Sequence, residues 1–471
     1  MSREIEATRA VLDRRLQQSR EFFFSGATRE ARFRRKQLGK LLEAIKLREG
    51  RIIDALEADL GKCAFESYAS EIGFLYEELR YIRRRLGRWS RPKRVPTPLV
   101  HFPSRSWIEP EPVGVALILS PWNYPFQLAL VPLIGAIASG CTAILKPSEF
   151  APASSAVIKE LVSATFDPEY VDVVEGDDRV ASTLVSLPFD KIFFTGSTAV
   201  GKKVMAAASD NLTPVVLELG GKSPAIVHDD AEIEIAARRI AWGKFLNAGQ
   251  SCVAPDFVYV HDSIAEAFQS QLAASVRRFF GANPAESEDY GRIVDDRHFD
   301  RLRTLQERAL SRDDTRLLFG GEADRSSRFI APTAVELPDW DTPLMEEEIF
   351  GPILPVLRYT ALDEVVRELQ RRPNPLSLYI FSQSRPVQEW VTRAVPFGGG
   401  CINETNLHLA SPYLPFGGTG SSGTGSCHGK ASFDAFTHQK SILSHATWLD
   451  LPLKYPPYTK WAMTLVRKLM G

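Results

Sequence analysis

"KIFFTGSTAVGKKVMAAASD" (191–210) passes from an apolar run, through a turn bearing glycine, into a helical pattern. A strand, a tight turn and then a helix aim backbone N–H groups and the positive helix end at an anion. Gly196, Gly201 and Lys202 fit the G-x-x-x-x-G-K spacing of a nucleotide-triphosphate loop. The next position should offer Ser or Thr to a magnesium ion, and it is Lys203. No convincing second magnesium carboxylate announces itself, which weakens the NTPase reading and leaves a phosphate to be identified.

The same alternation extends outward. "VGVALILS", "CTAILKP", "YVDVVEG" and "PVVLELGG" read as strands that are apolar on both faces, and "PLIGAIASG", "SSAVIKELVSA" and "VGKKVMAAASD" read as helices. Fully apolar strands alternating with helices predict a parallel, doubly wound sheet over 113–218. A second α/β region begins near 225 with "SPAIVHD" and continues to about 402 through "DFVYVHD", "LLFGG", "TAVEL", "ILPVLRY" and "LSLYIFS". Val113 to Leu145 carries no charged residue, yet prolines and glycines interrupt it, so a buried strand–loop–helix–strand unit is expected rather than a membrane span. Residues 1–90 read as helices, and the basic run "EELRYIRRRLGRWSRPKR" as a solvated face. Residues 95–112 read as an extended, proline-marked arm. Gly418, Gly420 and Gly423 form a literal G-x-G-x-x-G, but Pro415-Phe416 precedes them in place of a strand, so a loop is expected.

The 471 residues carry a net charge of −1, which gives the chain as a whole no electrostatic reason to seek nucleic acid or an anionic membrane. The first fifteen residues are charged throughout and lack the apolar core of a signal peptide. Five scattered cysteines without a C-x-x-C pair predict a reducing, cytoplasmic setting, no disulfide framework and no metal site.

Two segments carry the chemistry. "LELGGKSP" (217–224) ends a strand at Glu218, and "NAGQSCVAPD" (247–256) places Cys252 in a loop after a helix. With "SPWNYPF" (120–126), "KPSE" (146–149), the 196–201 turn, "EEIFGP" (347–352) and "LPFGG" (414–418), this ordered set resembles the aldehyde dehydrogenase superfamily. The resemblance runs from about residue 20 to 450, and the separation of Glu218 and Cys252 matches it. "GSCHGKASFDAFTHQKSILSH" and "LPLKYPPYT" resemble the class 3, fatty-aldehyde-type branch. Ser197 and Ser251 stand where that branch varies.

The resemblance implies an aldehyde dehydrogenase-like α/β fold. A Rossmann-type NAD(P)-binding domain would span 1–90 and 111–218, with part of 403–430. A catalytic domain would span 219–402, a small β oligomerisation arm 91–110 and 431–450, and a tail 451–471. It implies that Cys252 adds to an aldehyde carbon, that Asn123 and the Cys252 backbone N–H hold the oxyanion, and that Glu218 is the general base of thioester hydrolysis. The cofactor is NAD, NADP or both. Gly196, Ser197 and Gly201 would then lie by its pyrophosphate, Lys146 and Glu149 by the adenine ribose, and Glu348 by the nicotinamide ribose. Trp122 and Phe350 complete the cofactor side. Glu149 disfavours a 2′-phosphate and Lys146 attracts one, so dual use is expected. Tyr124 and Trp242 would line an apolar tunnel for medium to long aliphatic or aromatic aldehydes. A homodimer is expected through the arms. The tail (460–471) reads as a helix with Trp461, Leu465 and Leu469 on one side, capping the substrate entrance or resting on a membrane. The alternatives are an acylating enzyme using coenzyme A, which Glu218 argues against, a P-loop NTPase, and a binding protein without turnover.

Overall fold

A computed structural model describes residues 3–450 and 452–470. Its order of elements begins with five α-helices and one π-helical turn between Arg3 and Trp89, as the amphipathic spacing predicts.

Two mainly parallel sheets follow. The first has six strands in the order Gly423–Thr424, Val215–Glu218, Lys191–Thr195, Val115–Leu119, Thr142–Lys146, Val171–Val173. All but the first, which is antiparallel, run parallel. Each strand divides its side chains between two cores. Val115, Leu117 and Leu119 pack on one face with Ile192 and Phe194, while Ala116 and Ile118 pack on the other with Phe193. That two-sided burial is why these strands read as continuous apolar runs. The chain order reverses on either side of Val115–Leu119, which makes its carboxyl end the switch point where such sheets bind ligands.

The second sheet has seven strands, in the order Arg316–Phe319, Thr333–Leu337, Ile353–Tyr359, Phe257–His261, Pro224–Val227, Ser377–Phe381, Gly399–Ile402. Only Arg316–Phe319 is antiparallel to its neighbour. It faces the first sheet's carboxyl ends with the loops that precede its own strands. Those loops carry Gly220-Gly221, Cys252 and Glu348.

The uncharged stretch is the strand Val115–Leu119, the helix Pro125–Ser139 and the strand from Thr142, and the helix runs on through Pro132. Three local expectations need correction. The arm is not extended throughout: Lys93–Val95 and Arg105–Pro112 are strands, but Leu99–His101 is a 3₁₀ turn. Residues 430–435 are helical, and the strand begins only at Thr437, because Ser432 and Phe433 are buried beside the Pro125–Ser139 helix. The 418–423 glycines are not a plain loop. A 3₁₀ turn at Gly420–Ser422 leads into Gly423–Thr424, which adds to the edge beside Glu218. The arm is a three-stranded antiparallel sheet of Lys93–Val95, Arg105–Pro112 and Thr437–Ser444. The tail is helical over Lys460–Met470, with Trp461 exposed, Ala462 buried and Leu465 half-buried; the side chain of Leu469 lies outside the described residues.

The Pro125–Ser139 helix meets Lys430–Ala435 through Gly135, where a Cβ would stand 2.7 Å from the Ser432 carbonyl oxygen. Gly135→Ala should therefore cost roughly 1–3 kcal/mol, the usual size of overpacking. Gly50→Ala, with nothing within 4 Å of the new methyl, should instead stabilise by about 0.5 kcal/mol through the unfolded chain. Urea unfolding measures both, and equal stability of the two variants would refute the close packing.

Candidate active site

The strand Val115–Leu119 delivers Ser120-Pro121-Trp122-Asn123 at the switch point, and the helix Pro125–Ser139 starts directly after. Cys252 approaches from the other sheet. Its loop follows the helix Ile233–Phe245 and folds back sharply: Asn247 and Ala248 both have φ of 51°, a left-handed conformation costly for residues with a Cβ. Side chains over-determine that turn. Asn247 Nδ2 donates to the Asn123 carbonyl at 2.8 Å and to the Gln250 carbonyl at 3.2 Å. Gln250 Nε2 donates to the Asn247 carbonyl at 3.0 Å and the Arg292 carbonyl at 2.9 Å. Asn123 Nδ2 donates to the Gln250 carbonyl at 3.0 Å. An amide nitrogen carries two hydrogens, so one Asn123 donor remains uncommitted, in contact with Gln250 two residues from Cys252.

Cys252 is half-buried and opens into a cavity of about 490 Å³. Tyr124, Leu128, Trp242, Phe245 and Phe280 make much of the wall, so the substrate-side pair expected from the sequence lies in one chamber with the thiol. Tyr124 is buried, whereas Trp242 is 37 % exposed and stands toward solvent. Burial pushes the Cys252 thiol well up from its ordinary value, and the Glu348 and Glu218 carboxylates add to this. The backbone N–H groups of Cys252 and Val253 offset part of the shift.

Glu218 ends its strand fully within the protein, and neither carboxylate oxygen has a hydrogen-bond partner. Burial pushes its carboxyl well above the usual range; the Cys427 thiol is near enough to moderate the shift without satisfying either oxygen. Glu348 sits across Gly220: a Cβ there would fall on the Glu348 carboxylate, 1.9 Å from Oε2. Burial first, and the Asp256 charge second, raise the Glu348 carboxyl to about 8. The same segment turns through Phe350, with φ of 52°, whose ring meets Trp122 edge-on at 5.4 Å.

The strand Lys191–Thr195 lies next to that of Glu218, and Gly196 N–H donates to the Glu218 carbonyl at 3.1 Å. Ser197 caps the helix Thr198–Ser209, accepting from Val200 N–H at 3.4 Å. Gly196 and Gly201 are required by close approach, since a Cβ would strike the Phe194 ring at 2.5 Å and Leu219 at 2.6 Å. Lys202 and Lys203 are both exposed. Lys146 is buried and donates to Glu149 at 2.6 Å, so these two predicted residues pair with each other.

Sequence reading missed the groups that hold these side chains. Lys222 Nζ donates to Asp256 at 2.6 Å and to the carbonyls of Leu344 and Glu347 at 2.8 and 3.0 Å, while Asp256 accepts from Ile349 N–H at 3.0 Å. Both residues stand in the quoted stretches, "LELGGKSP" and "NAGQSCVAPD", but nothing local marks them as partners.

A thiol in an apolar chamber, a buried acid behind it and a helix end suited to phosphate agree with the comparisons with known proteins. The model of the aldehyde dehydrogenase family matches residues 3–442. The 4,4'-diaponeurosporen-aldehyde dehydrogenase of Staphylococcus aureus is 48 % identical over 448 residues, covering 95 % of this chain and 97 % of that one. Aldehyde dehydrogenase family 3 member H1 of Arabidopsis thaliana is 42 % identical, over 96 % of this chain and 93 % of its own. A substrate-bound structure of Staphylococcus aureus AldH superposes with a TM-score of 0.95 at 47 % identity, covering 98 % of this chain and 99 % of that one. The chain belongs to the aldehyde dehydrogenase family, in its class 3-like branch, and is an NAD(P)-dependent enzyme that oxidises aldehydes.

Proposed function

We propose that the chain oxidises a medium- or long-chain aliphatic or aromatic aldehyde to its acid through a thioester on Cys252. The observation that carries this reading is the opening of Cys252 into an apolar chamber of about 490 Å³, too large and too greasy for a short polar aldehyde alone. Cys252 Sγ adds to the aldehyde carbon. Asn123 Nδ2 and the Cys252 backbone N–H hold the oxyanion. When bound, the nicotinamide supplies the hydride acceptor. Glu218 then takes a proton from the water that cleaves the thioester. Its two unpartnered, buried oxygens favour this role, since a carboxylate engaged elsewhere would be a poorer base.

The dinucleotide side is supported by fit. The helix end at Thr198, capped by Ser197, suits the pyrophosphate. Glu348, held over Gly220 where no Cβ has room, suits ribose hydroxyls. Lys146 and Glu149 suit the adenine ribose, with Trp122 and Phe350 packed beside the site. The division into an NAD(P)-binding domain (1–90, 111–218 and part of 403–430), a catalytic domain (219–402), an arm (91–110 and 431–450) and a tail (451–471) belongs to the same reading. So does a homodimer joined through the arm, where Leu99, Phe102 and Trp448 are exposed. No helix among the described residues is long and apolar enough to cross a membrane. We place the enzyme in the cytoplasm, with the amphipathic tail at the substrate entrance or on a membrane surface.

Glu218→Gln should still release about one NADH per site in a burst, followed by steady turnover slower by roughly 10²–10⁴-fold. Rapid-mixing absorbance at 340 nm reads both phases, and near-normal steady turnover would mean the deacylating base is another group. Gly220→Ala should push Glu348 aside and weaken NAD binding by roughly 10–100-fold, the size of a hydrogen bond to a charged group. Quenching of tryptophan fluorescence by NAD tests it, and unchanged affinity would remove Glu348 from the cofactor site. The third expectation concerns pH. Burial and two nearby carboxylates disfavour the thiolate, so without cofactor Cys252 should hold its proton beyond the ~8.5 of a free thiol. Alkylation of the Cys252 peptide by iodoacetamide, followed by mass spectrometry, should still be rising above pH 9. A plateau below pH 8 would contradict the burial effect.

A further inference from the structure

Lys62 and Glu71 form an ion pair whose side chains have no solvent exposure, Nζ to Oε1 being 2.8 Å. Burying two charges is costly, and such a pair is weak evidence of stability by itself. Its remaining contacts all lead to one segment. Lys62 Nζ also donates to the Asn123 carbonyl at 3.4 Å and lies 4.3 Å over the Tyr124 ring. Glu71 Oε2 accepts from the backbone N–H groups of Phe126 at 2.8 Å and Gln127 at 3.2 Å. These are orphan donors of the first turn of the helix Pro125–Ser139, and Tyr124 at its N-cap offers no side-chain bond to them. Glu71 is brought there by a π-helical turn, Tyr68–Ile72, which shifts the register of its chain.

The pair therefore grips Asn123 to Gln127 from behind, at the backbone carbonyl of Asn123 and the amides of Phe126 and Gln127. From the front, the same Asn123 carbonyl accepts from Asn247 in the Cys252 loop at 2.8 Å. A carbonyl shared between the two fixes the Asn123 backbone, and with it the direction in which its carboxamide reaches the Gln250 carbonyl in the Cys252 loop.

We propose that Lys62 and Glu71 are positioning residues for the oxyanion site, acting through the backbone of Asn123. This rests on the reading of Asn123 as the oxyanion donor. Neither residue touches the reacting atoms. A small misplacement of a catalytic group is enough to slow chemistry strongly, whereas cofactor affinity, which in the proposed reading rests mainly on the 196–201 turn, Lys146, Glu149 and Glu348, should change little.

The test is a cycle of variants read by the pre-steady-state NADH burst, with NAD affinity measured alongside. Lys62→Met/Glu71→Gln removes both charges of the pair together; the buried Glu66 carboxyl beside Lys62, already raised to about 7, then stays protonated. It should slow the burst by roughly tenfold in the wild-type background, but by less than twofold when combined with Asn123→Ala, because the donor to be positioned is already gone. NAD affinity should not change. Glu71→Gln alone, nearly the same shape, keeps the Lys62 contact to Asn123 and serves where the double variant does not fold. It should show the same non-additivity with a smaller slowing. Equal slowing with and without Asn123 would mean that the pair acts as general scaffolding and would overturn the proposal. So would an unchanged burst in the wild-type background while Asn123→Ala is slow. An Asn123→Ala burst as fast as wild type would remove the oxyanion assignment and the proposal with it.

Discussion

The contact between Lys222 and Asp256, 2.6 Å long and largely buried, is what brings the reacting groups into register. Lys222 follows Gly220-Gly221 at the exit of the strand that ends in Glu218. Asp256 closes the loop that carries Cys252. Through Lys222 the carbonyls of Leu344 and Glu347 are fixed, and through Asp256 the amide of Ile349, so Glu348 is held on both sides. One ion pair thus joins three segments, Lys222 and Asp256 being 34 residues apart and Lys222 and Leu344 122 apart. Removing one partner would strand a buried charge, a loss of roughly 3–5 kcal/mol. It would also release Glu218, Cys252 and Glu348 from one another. Lys244, fully buried with no hydrogen-bond partner and 3.9 Å from Asp256, is depressed to about 8 by burial against that same carboxylate's pull.

Around this clamp the protein holds groups that gain little by being there. Glu218 has no partner, Glu348 is raised to about 8, and the Cys252 thiol is pushed up by burial and by both acids. Unpaired buried polar groups are destabilising. Their presence together, at the meeting of one sheet's carboxyl ends with the loops before the other sheet's strands, is the pattern of a site whose stability has been traded for reactivity. On the proposed placement of the nicotinamide in this pocket, its cationic ring would favour the ionised forms of both acids and of the thiol.

Much of this was legible in the sequence because local chemistry marked it. The strands of the first sheet are buried on both faces, so their apolar runs announced a parallel sheet without any partner being known. Glu218, Cys252 and Asn123 stand in short motifs whose glycines and prolines have local steric reasons, such as Gly196 against Phe194 and Gly201 against Leu219. Groups defined by distant partners were not legible. Lys62 and Glu71 look like ordinary charges in an amphipathic helical stretch, and their burial depends on the helix Pro125–Ser139 arriving beside them. Lys222 and Asp256 stand within motifs, but nothing local marks them as partners. The glycines at 418–423 have no strand before them, so the local pattern predicts a loop. They join the sheet by a different route, as a short edge strand placed by Leu219 N–H donating to Ser422 O at 3.0 Å.

The same distinction bears on cofactor choice. In sequence, Lys146 and Glu149 oppose each other as attractor and repeller of a 2′-phosphate, and their effects seem to cancel. In the structure they are bonded at 2.6 Å, with the ammonium buried and the carboxylate one-third exposed. The positive charge is thus already neutralised, and the exposed carboxylate is the group a ribose would meet first. A ribose hydroxyl can donate to that carboxylate without disturbing the pair. A 2′-phosphate must turn Glu149 outward before it reaches Lys146, exchanging one charged contact for another. On the proposed placement of the adenine ribose at this pair, both cofactors can be accommodated by such an exchange, but only the phosphate requires the pair to open.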